Sequence, residues 1–428
     1  MATITRQQMK DSKSVETIES DSLFRRRFSI RLLNSFGRIL ERTGWSPANR
    51  SEDSLIAAAA RRAGASEWGH ELFREGFHVL LESFRKDANL HFTGWLGIHY
   101  LLISHLSNHF GIQHELKQHP QILEEKIRRP LIITGLPRTG TTLLHRLLCT
   151  DPAHRWLAYW EAVRPVPPPT RMARDADPRI AEAARILESI SRQRPDMYSA
   201  HAMNPHYPEE CVILFYNTFT AFGFELFARL DQYSQWLARQ DITPTYQDYR
   251  QQLQLLQNQK RGERWVLKAP VHIAALDALL AVFPDACIVQ THRDLLKVLP
   301  SSQSFVHKWR SIYSDQIINH EPQTSSYRLI NRIGRCMRVR DSVNSAPFYD
   351  VHYTDLVADP INTVRGIYNY FDFKFDDVFE SNMRAWLINN PKGKHGKHSY
   401  SLEQFGLDRA QVSKEFADYT ARFGILPE

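Results

Sequence analysis

The stretch GLPRTGTT, residues 135 to 142, has the residue types and spacing to hold a phosphate. It follows the apolar run PLIIT and precedes LLHRLLC, so it reads as strand, glycine loop and helix, the layout of a phosphate-binding loop. Gly135 and Gly140 keep the G-x-x-x-x-G spacing of the ATP and GTP loops, but Thr141 stands where their lysine would follow. In those loops the lysine contacts the β and γ phosphates and the next hydroxyl holds magnesium. Here the basic residue sits inside the loop. Arg138, flanked by Thr139, Thr141 and Thr142, would converge with backbone amides on an anion at a helix N-terminus. Such a set suits a compact 5′-phosphate carrying a leaving sulfonyl group better than a metal-bound triphosphate.

A second anchor lies in VQTHRDLLKVLPSSQS, which places Arg293 just beyond a strand and Ser301 eight residues later. A guanidinium and a hydroxyl there could grip a second phosphate, separate from the first. Two grips on neighbouring strand ends, without a magnesium-binding aspartate at the usual strand end, point to a nucleotide bisphosphate and to no metal.

These residues need a scaffold that brings strand ends together. From 130 onward, short β-rich runs alternate with helical segments: PLIIT, RWVLK (264 to 268), ACIVQTH (286 to 292) and FYDVHY (348 to 353). That alternation predicts an α/β fold with a central parallel sheet flanked by helices, a P-loop-type core. Residues 52 to 128 read as a helical N-terminal region, with apolar residues at spacings of three and four and no strand signal. Residues 1 to 51 form an N-terminal arm, and 129 to 428 the α/β domain. Between its first two strands a helical insertion, about 150 to 262, is placed where a substrate lid would sit. Its aromatics, among them Tyr159, Trp160, Tyr198, Tyr207, Phe215, Tyr216, Phe219 and Phe222, could wall a substrate cavity or form the insertion's own core.

Composition narrows the class. The chain has 428 residues, 43% hydrophobic and 24% charged, enough to bury a large core. Its 54 Lys and Arg against 47 Asp and Glu give +7, an excess that attracts anionic ligands, but the basic residues are spread along the chain and nucleic acid is not expected. The four cysteines lie far apart, which argues against a zinc site or disulfide framework and for reduced intracellular thiols. The first thirty residues have no apolar core for a signal peptide, so a cytoplasmic protein is expected. Residues 90 to 114 lack Asp, Glu, Lys and Arg, but five histidines and other polar residues interrupt them, so they read as packed helix and not as a membrane span. His105 and His109, at i and i+4, read as helix packing rather than as metal ligands.

At its phosphate-binding residues the chain resembles the sulfotransferases that use 3′-phosphoadenosine 5′-phosphosulfate (PAPS), in particular the bacterial branch with an N-terminal helical region. GLPRTGTTLLHRLL is similar to that family's 5′-phosphosulfate loop, and HRDLLKVLPSSQS to its 3′-phosphate motif. VHYTDLVADPINTVRGIYNYFDF is similar to its Tyr-x-Asp-Leu segment, and KGKHGKHSYSLEQFGL to the branch's closing tail. The resemblance implies that Arg138, Thr139, Gly140, Thr141 and Thr142 hold the 5′-phosphosulfate, that Arg293 and Ser301 hold the 3′-phosphate and that Tyr353 lies near the adenine. Lys392 and Lys394 would cover the 3′-phosphate from the tail. The best-known eukaryotic members carry lysine where this chain has Arg138 and an Arg-Lys-Gly element where it has Lys392, Gly393 and Lys394.

Sulfuryl transfer needs a base at the acceptor and cations at the leaving group. Glu161, 23 residues after Arg138 in LAYWEAVRP, is the first candidate for the base, as other branches of the family place a glutamate some twenty residues after the loop. The plain reading of Glu161 is a surface carboxylate paired with Arg155 or Arg164. His206, Glu209 and Glu210 in NPHYPEEC form the second candidate region, or else a Pro208-capped helix start. Lys268 in WVLKAPVH would end a strand on the ligand side and touch the transferring sulfonate, or else snorkel at the sheet rim. His272 reads chiefly as a helix-start residue, and His292 as a packed or supporting one.

The expected activity is therefore transfer of a sulfuryl group from PAPS to a hydroxyl or amine of a small-molecule acceptor such as a natural product. A P-loop kinase or NTPase, and a non-catalytic nucleotide-binding protein, are the rival classes.

Overall fold

The computed structural model describes residues 28–47, 50–168, 177–194, 203–258, 262–314, 322–343, 347–391 and 401–428. Five parallel strands form one sheet: β1 (Leu131–Gly135), β2 (Arg155–Trp156), β3 (Trp265–Lys268), β4 (Cys287–His292) and β5 (Phe348–His352), in the order β2-β3-β1-β4-β5. β1 is central. Ile132 pairs with Leu267 on one side and Ile288 on the other, and Gly135 reaches Thr291. The four strands expected from sequence are present within a residue or two. The edge strand β2 was not read, because two residues carry no periodic signal.

Buried strands covered on both faces are apolar along their length, and β1, β3 and β4 are buried at every residue. Alternate side chains divide between two layers. Ile132, Leu267 and Ile288 join a large core with the N-terminal helices and the insertion. Leu131, Ile133 and Val289 pack instead against Leu144, Val364 and Met383.

The N-terminal helices are α1 (Phe28–Arg42), α2 (Glu52–Ala63), α3 (Glu71–Lys86) and α4 (Phe92–Gln118). α2 is bounded by its residues: the Ser51 hydroxyl accepts from Ser54 N at its start, and Gly64, at φ 69°, ends it. α4 covers the uncharged stretch around 90 to 114 as one long helix, buried on most sides. Its Leu102, Leu106 and Phe110 share the large core with the sheet. Among the described residues no helix is long and apolar enough to cross a membrane. His105 and His109 do not form a ligand pair: His105 Nδ1 bonds Asn217, and His109 Nε2 bonds the carbonyl of Trp68.

Four further helices frame the ligand side: α5 (Thr141–Leu148) after β1, α6 (Tyr159–Val163) and α7 (Pro178–Gln193) in the insertion, and α8 (Leu295–Arg310) after β4. The chain leaves β1 for β2 on one side of it and later reaches β4 on the other. This reversal opens a crevice beyond the carboxyl ends of the strands, where open α/β sheets bind ligands.

Candidate active site

The turn from β1 into α5 is built for close approach. Gly135 (φ 142°) passes so near β4 that a Cβ there would lie 2.4 Å from the Thr291 hydroxyl. Gly140 (φ 91°) is the residue before α5, and its Cβ would lie 3.1 Å from the Tyr353 ring. Arg138 also has positive φ, 71°, a conformation uncommon for a side-chain-bearing residue and frequent at ligand sites. The first amides of α5 lack intrahelical partners by geometry and open toward this turn.

Thr139 is fully buried. Its hydroxyl donates to Leu136 O at 2.6 Å and meets Thr291 Oγ at 2.5 Å, so it braces the loop and its backbone amide is the group left for an anion. Thr141 and Thr142 line the adjacent cavity together with Arg138.

The structure brings together the two anchors expected for phosphate. Arg138 Nε donates to Ser301 Oγ at 3.2 Å, and Arg293 Nη1 donates to the Arg138 carbonyl at 3.0 Å. The Arg293 guanidinium lies 3.8 Å over the Tyr353 ring. Its Nε and Nη2 are held by the Glu428 carboxylate at 2.9 to 3.1 Å. A carboxylate thus takes the fork that an anionic group would seek. His292 stays behind this front. It is buried between Tyr419 and Asp350, and burial lowers its pKa. Lys392 and Lys394 lie outside the described residues.

Beside the loop a cavity of about 870 Å³ runs between α4, the insertion and α8. Its walls are largely apolar, with Tyr159, Tyr216, Phe222, Phe227 and Trp309 among them. The insertion's aromatics therefore divide. Tyr159, Tyr216 and Phe222 line the cavity, Phe215 and Phe219 belong to the core, Tyr207 stacks under Arg146 at the surface, and Tyr198 lies outside the described residues.

Glu161 does not reach this cavity. It is fully buried, its Oε2 accepts from Arg155 Nη1 at 2.9 Å and its Oε1 from Arg155 Nη2 at 3.1 Å. Oε2 also accepts from Ala158 N at 3.2 Å, the backward reach of a carboxylate in the first turn of a helix, here α6. The pairing with Arg155 is the one weighed from sequence, but it is buried and not at the surface. His206 is exposed and does not line the cavity.

Glu209 and Glu210 do line it. The main chain places them: Glu209 N donates to Leu157 O at 2.9 Å, and Cys211 N to Lys268 O at 2.9 Å, so this segment is laced to the carboxyl ends of the sheet. Lys268, 1% exposed at the end of β3, donates from Nζ to Glu210 Oε1. Glu209 is buried and accepts from Glu210 N at 2.9 Å. It also opposes the fall that burial imposes on the Arg146 pKa. His272, fully buried against the Tyr246 hydroxyl at 2.9 Å, belongs to the core.

A phosphate-type loop without its lysine, a second arginine anchor and a carboxylate-bearing apolar cavity meet at one crevice. The sulfotransferase family model matches residues 130–377, more than half of the chain and every strand of the sheet. This chain belongs to the sulfotransferase family. Solved structures agree. Sulfotransferase STF1 from Mycobacterium tuberculosis superposes with a TM-score of 0.75 at 33% identity, over 86% of this chain and 99% of that one. Sulfotransferase STF9 from Mycobacterium avium gives 0.81 at 28% identity, over 88% and 98%. In sequence, the chain is 23% identical over 381 residues to the omega-hydroxy-beta-dihydromenaquinone-9 sulfotransferase Stf3 of Mycobacterium bovis and of Mycobacterium tuberculosis, covering 84% of this chain and 89% of theirs. This sulfotransferase shares with the two solved structures the P-loop-type core expected from its sequence.

Proposed function

We propose that this sulfotransferase moves the sulfuryl group of PAPS to the hydroxyl of an amphipathic small molecule seated in the 870 Å³ cavity. The observation that carries the reading is one juxtaposition. Arg138, Thr141 and Thr142 line the same cavity as Glu209 and Glu210, while Arg293 and Ser301 stand behind the loop. The donor set fits a nucleotide with two separated anionic groups: guanidinium, hydroxyl and helix-start amides at the loop, and a guanidinium over an aromatic ring at the second anchor. That Arg293 already holds the Glu428 carboxylate supports reading it as an anion anchor.

PAPS supplies an activated sulfuryl group. In this reading the loop amides and Arg138 hold the 5′ end and neutralise charge that grows on the leaving oxygen. Arg293 and Ser301 hold the 3′-phosphate, with Tyr353 stacked under Arg293. Glu210 accepts the proton of the acceptor hydroxyl, and Lys268, bonded to Glu210 Oε1, holds that carboxylate in place and adds positive charge near the sulfonate. Glu209 and Arg146 support that pair from within. Glu161 is a structural residue.

The apolar walls favour an acceptor with an apolar body and one hydroxyl, and the names of the curated relatives, a hydroxylated menaquinone derivative's sulfotransferases, point the same way. The test is release of adenosine 3′,5′-bisphosphate (PAP) from PAPS with two acceptors, an ω-hydroxylated isoprenoid quinone and a short phenol. Faster turnover with the quinone supports the reading. Turnover with the phenol alone removes the apolar-acceptor part, and no PAPS turnover with any hydroxyl removes the whole.

A further inference from the structure

Helix α1 presents its apolar side to solvent. Phe28, Leu32, Leu33, Phe36 and Ile39 are each at least half exposed, and Trp45 just beyond the helix is 53% exposed. At about 100° per residue, Phe28, Leu32, Phe36 and Ile39 fall within an arc of about 80°. Arg31, Arg38 and Arg42 form a row beside that arc, against one acidic residue, Glu41.

The rotation of the helix is fixed by its opposite side. Asn34 Oδ1 accepts from the amide and the hydroxyl of Thr93, both at 2.9 Å, and Gly37 sits so close to α4 that a Cβ would lie 2.2 Å from the Phe92 ring. The exposed arc is therefore not a face that the helix can turn inward without breaking these contacts.

Helix α1 is seated on the part of α4 that lines the cavity. Thr93, which anchors α1, lines the cavity, as do Gly97 and Tyr100 one and two turns further along α4. Leu96 and Tyr100, on the same side of α4 as Thr93, are 47% and 48% exposed and add apolar surface there.

We propose that α1 docks this protein on an anionic lipid bilayer, with the apolar arc at the acyl boundary, the arginine row on the headgroups and the cavity mouth turned toward the membrane. An apolar arc flanked by arginines is the pattern of a helix that lies in the interface plane. The arginines complement anionic headgroups. The claim concerns binding to lipid and stands apart from the identity of donor and acceptor.

The test is flotation of the full chain with vesicles of mixed phosphatidylcholine and phosphatidylglycerol, and with phosphatidylcholine alone, over a range of salt. Sedimentation velocity and thermal melting accompany it. The intact chain should float with the anionic vesicles, less so as salt rises. Leu32→Glu/Phe36→Glu should cut binding at least about tenfold with unchanged melting, since both side chains are exposed. Arg31→Gln/Arg38→Gln, which loses only the approach of Arg31 to the exposed Phe28 ring and the bond from Arg38 to Ser35, should weaken binding chiefly at low salt. The proposal is overturned if the intact chain does not float or if the glutamate variant floats equally well. It also fails if the chain is a dimer that the glutamate variant dissociates, or if only a chain lacking residues 1–27 floats, which would mean that this segment covers the arc.

Discussion

Lys268 and Glu210 form an ion pair that joins the end of the central sheet to the wall of the cavity. The lysine is buried and the glutamate partly open to the space where an acceptor would sit. A carboxylate so placed can take a proton from a hydroxyl and is held in position by its partner. We expect Glu210→Gln to lower kcat by about 10² to 10⁴ while PAP affinity changes less than about twofold. Steady-state kinetics beside PAP titration separates the two; full activity in this variant would remove Glu210 as the base.

Glu161→Gln should behave differently. Its carboxylate is the buried partner of Arg155, so the loss should appear as about 3–5 kcal/mol of stability in denaturant unfolding, with kcat of the surviving folded protein near normal. A stable variant with depressed kcat would return Glu161 to the chemistry.

The two arginine anchors should each contribute a charge-assisted contact to the nucleotide. Arg138→Ala and Arg293→Ala are expected to weaken PAP binding by about 1.5–3 kcal/mol each, read by calorimetry. Glu428→Gln should do the reverse. Its carboxylate holds the Nε and Nη2 of Arg293 and must give way to a phosphate, so its neutralisation should tighten PAP by about 1 kcal/mol or less, as the pair is partly solvent-exposed. Weaker PAP binding in Glu428→Gln would mean that the carboxylate positions Arg293 rather than competes for it.

Acid should destabilise the fold through buried histidines. Burial lowers His105 and His109 to about 4 and His272 to about 3. Each folded site binds fewer protons than the unfolded chain, whose histidines titrate near 6.5. Their contribution is fully present above 6.5, is eroded as pH falls below it, and is gone once pH has fallen through about 4 for His105 and His109 and about 3 for His272. Asp248 acts in the opposite sense but alone: burial raises it to about 6, so its share of stability is full below 3.8 and lost as pH rises through 6. The melting temperature should therefore fall steeply between pH 6.5 and 4, with a shallower fall in His105→Gln. A flat profile there would contradict the burial of these imidazoles.

The strand, turn and helix around residues 131–148 were legible because glycine spacing, flanking apolar strand and amphipathic helix all report the same local geometry. The sheet was legible where its strands run apolar for five residues, and not at Arg155–Trp156. Glu161 lay at a suitable count from Arg138, but counting does not say where a side chain turns; the turn was decided by Arg155 and by the first amide of α6. Glu209 and Glu210 are positioned by main-chain bonds to Leu157 and Lys268, the second across some sixty residues, and no local pattern announces such a contact. The apolar arc of α1 did have a signal, in the three- and four-residue spacing of FSIRLLNSFGRIL, within a segment read only as an arm.

The most direct measurement is calorimetric titration of the protein with PAP and with ATP, each with and without magnesium, repeated on Arg293→Ala. We expect PAP to bind more tightly than ATP, without dependence on magnesium, and Arg293→Ala to lose most of that preference. Preferential, magnesium-dependent binding of ATP would contradict the assignment of the lysine-free loop and its second anchor to a phosphosulfate donor.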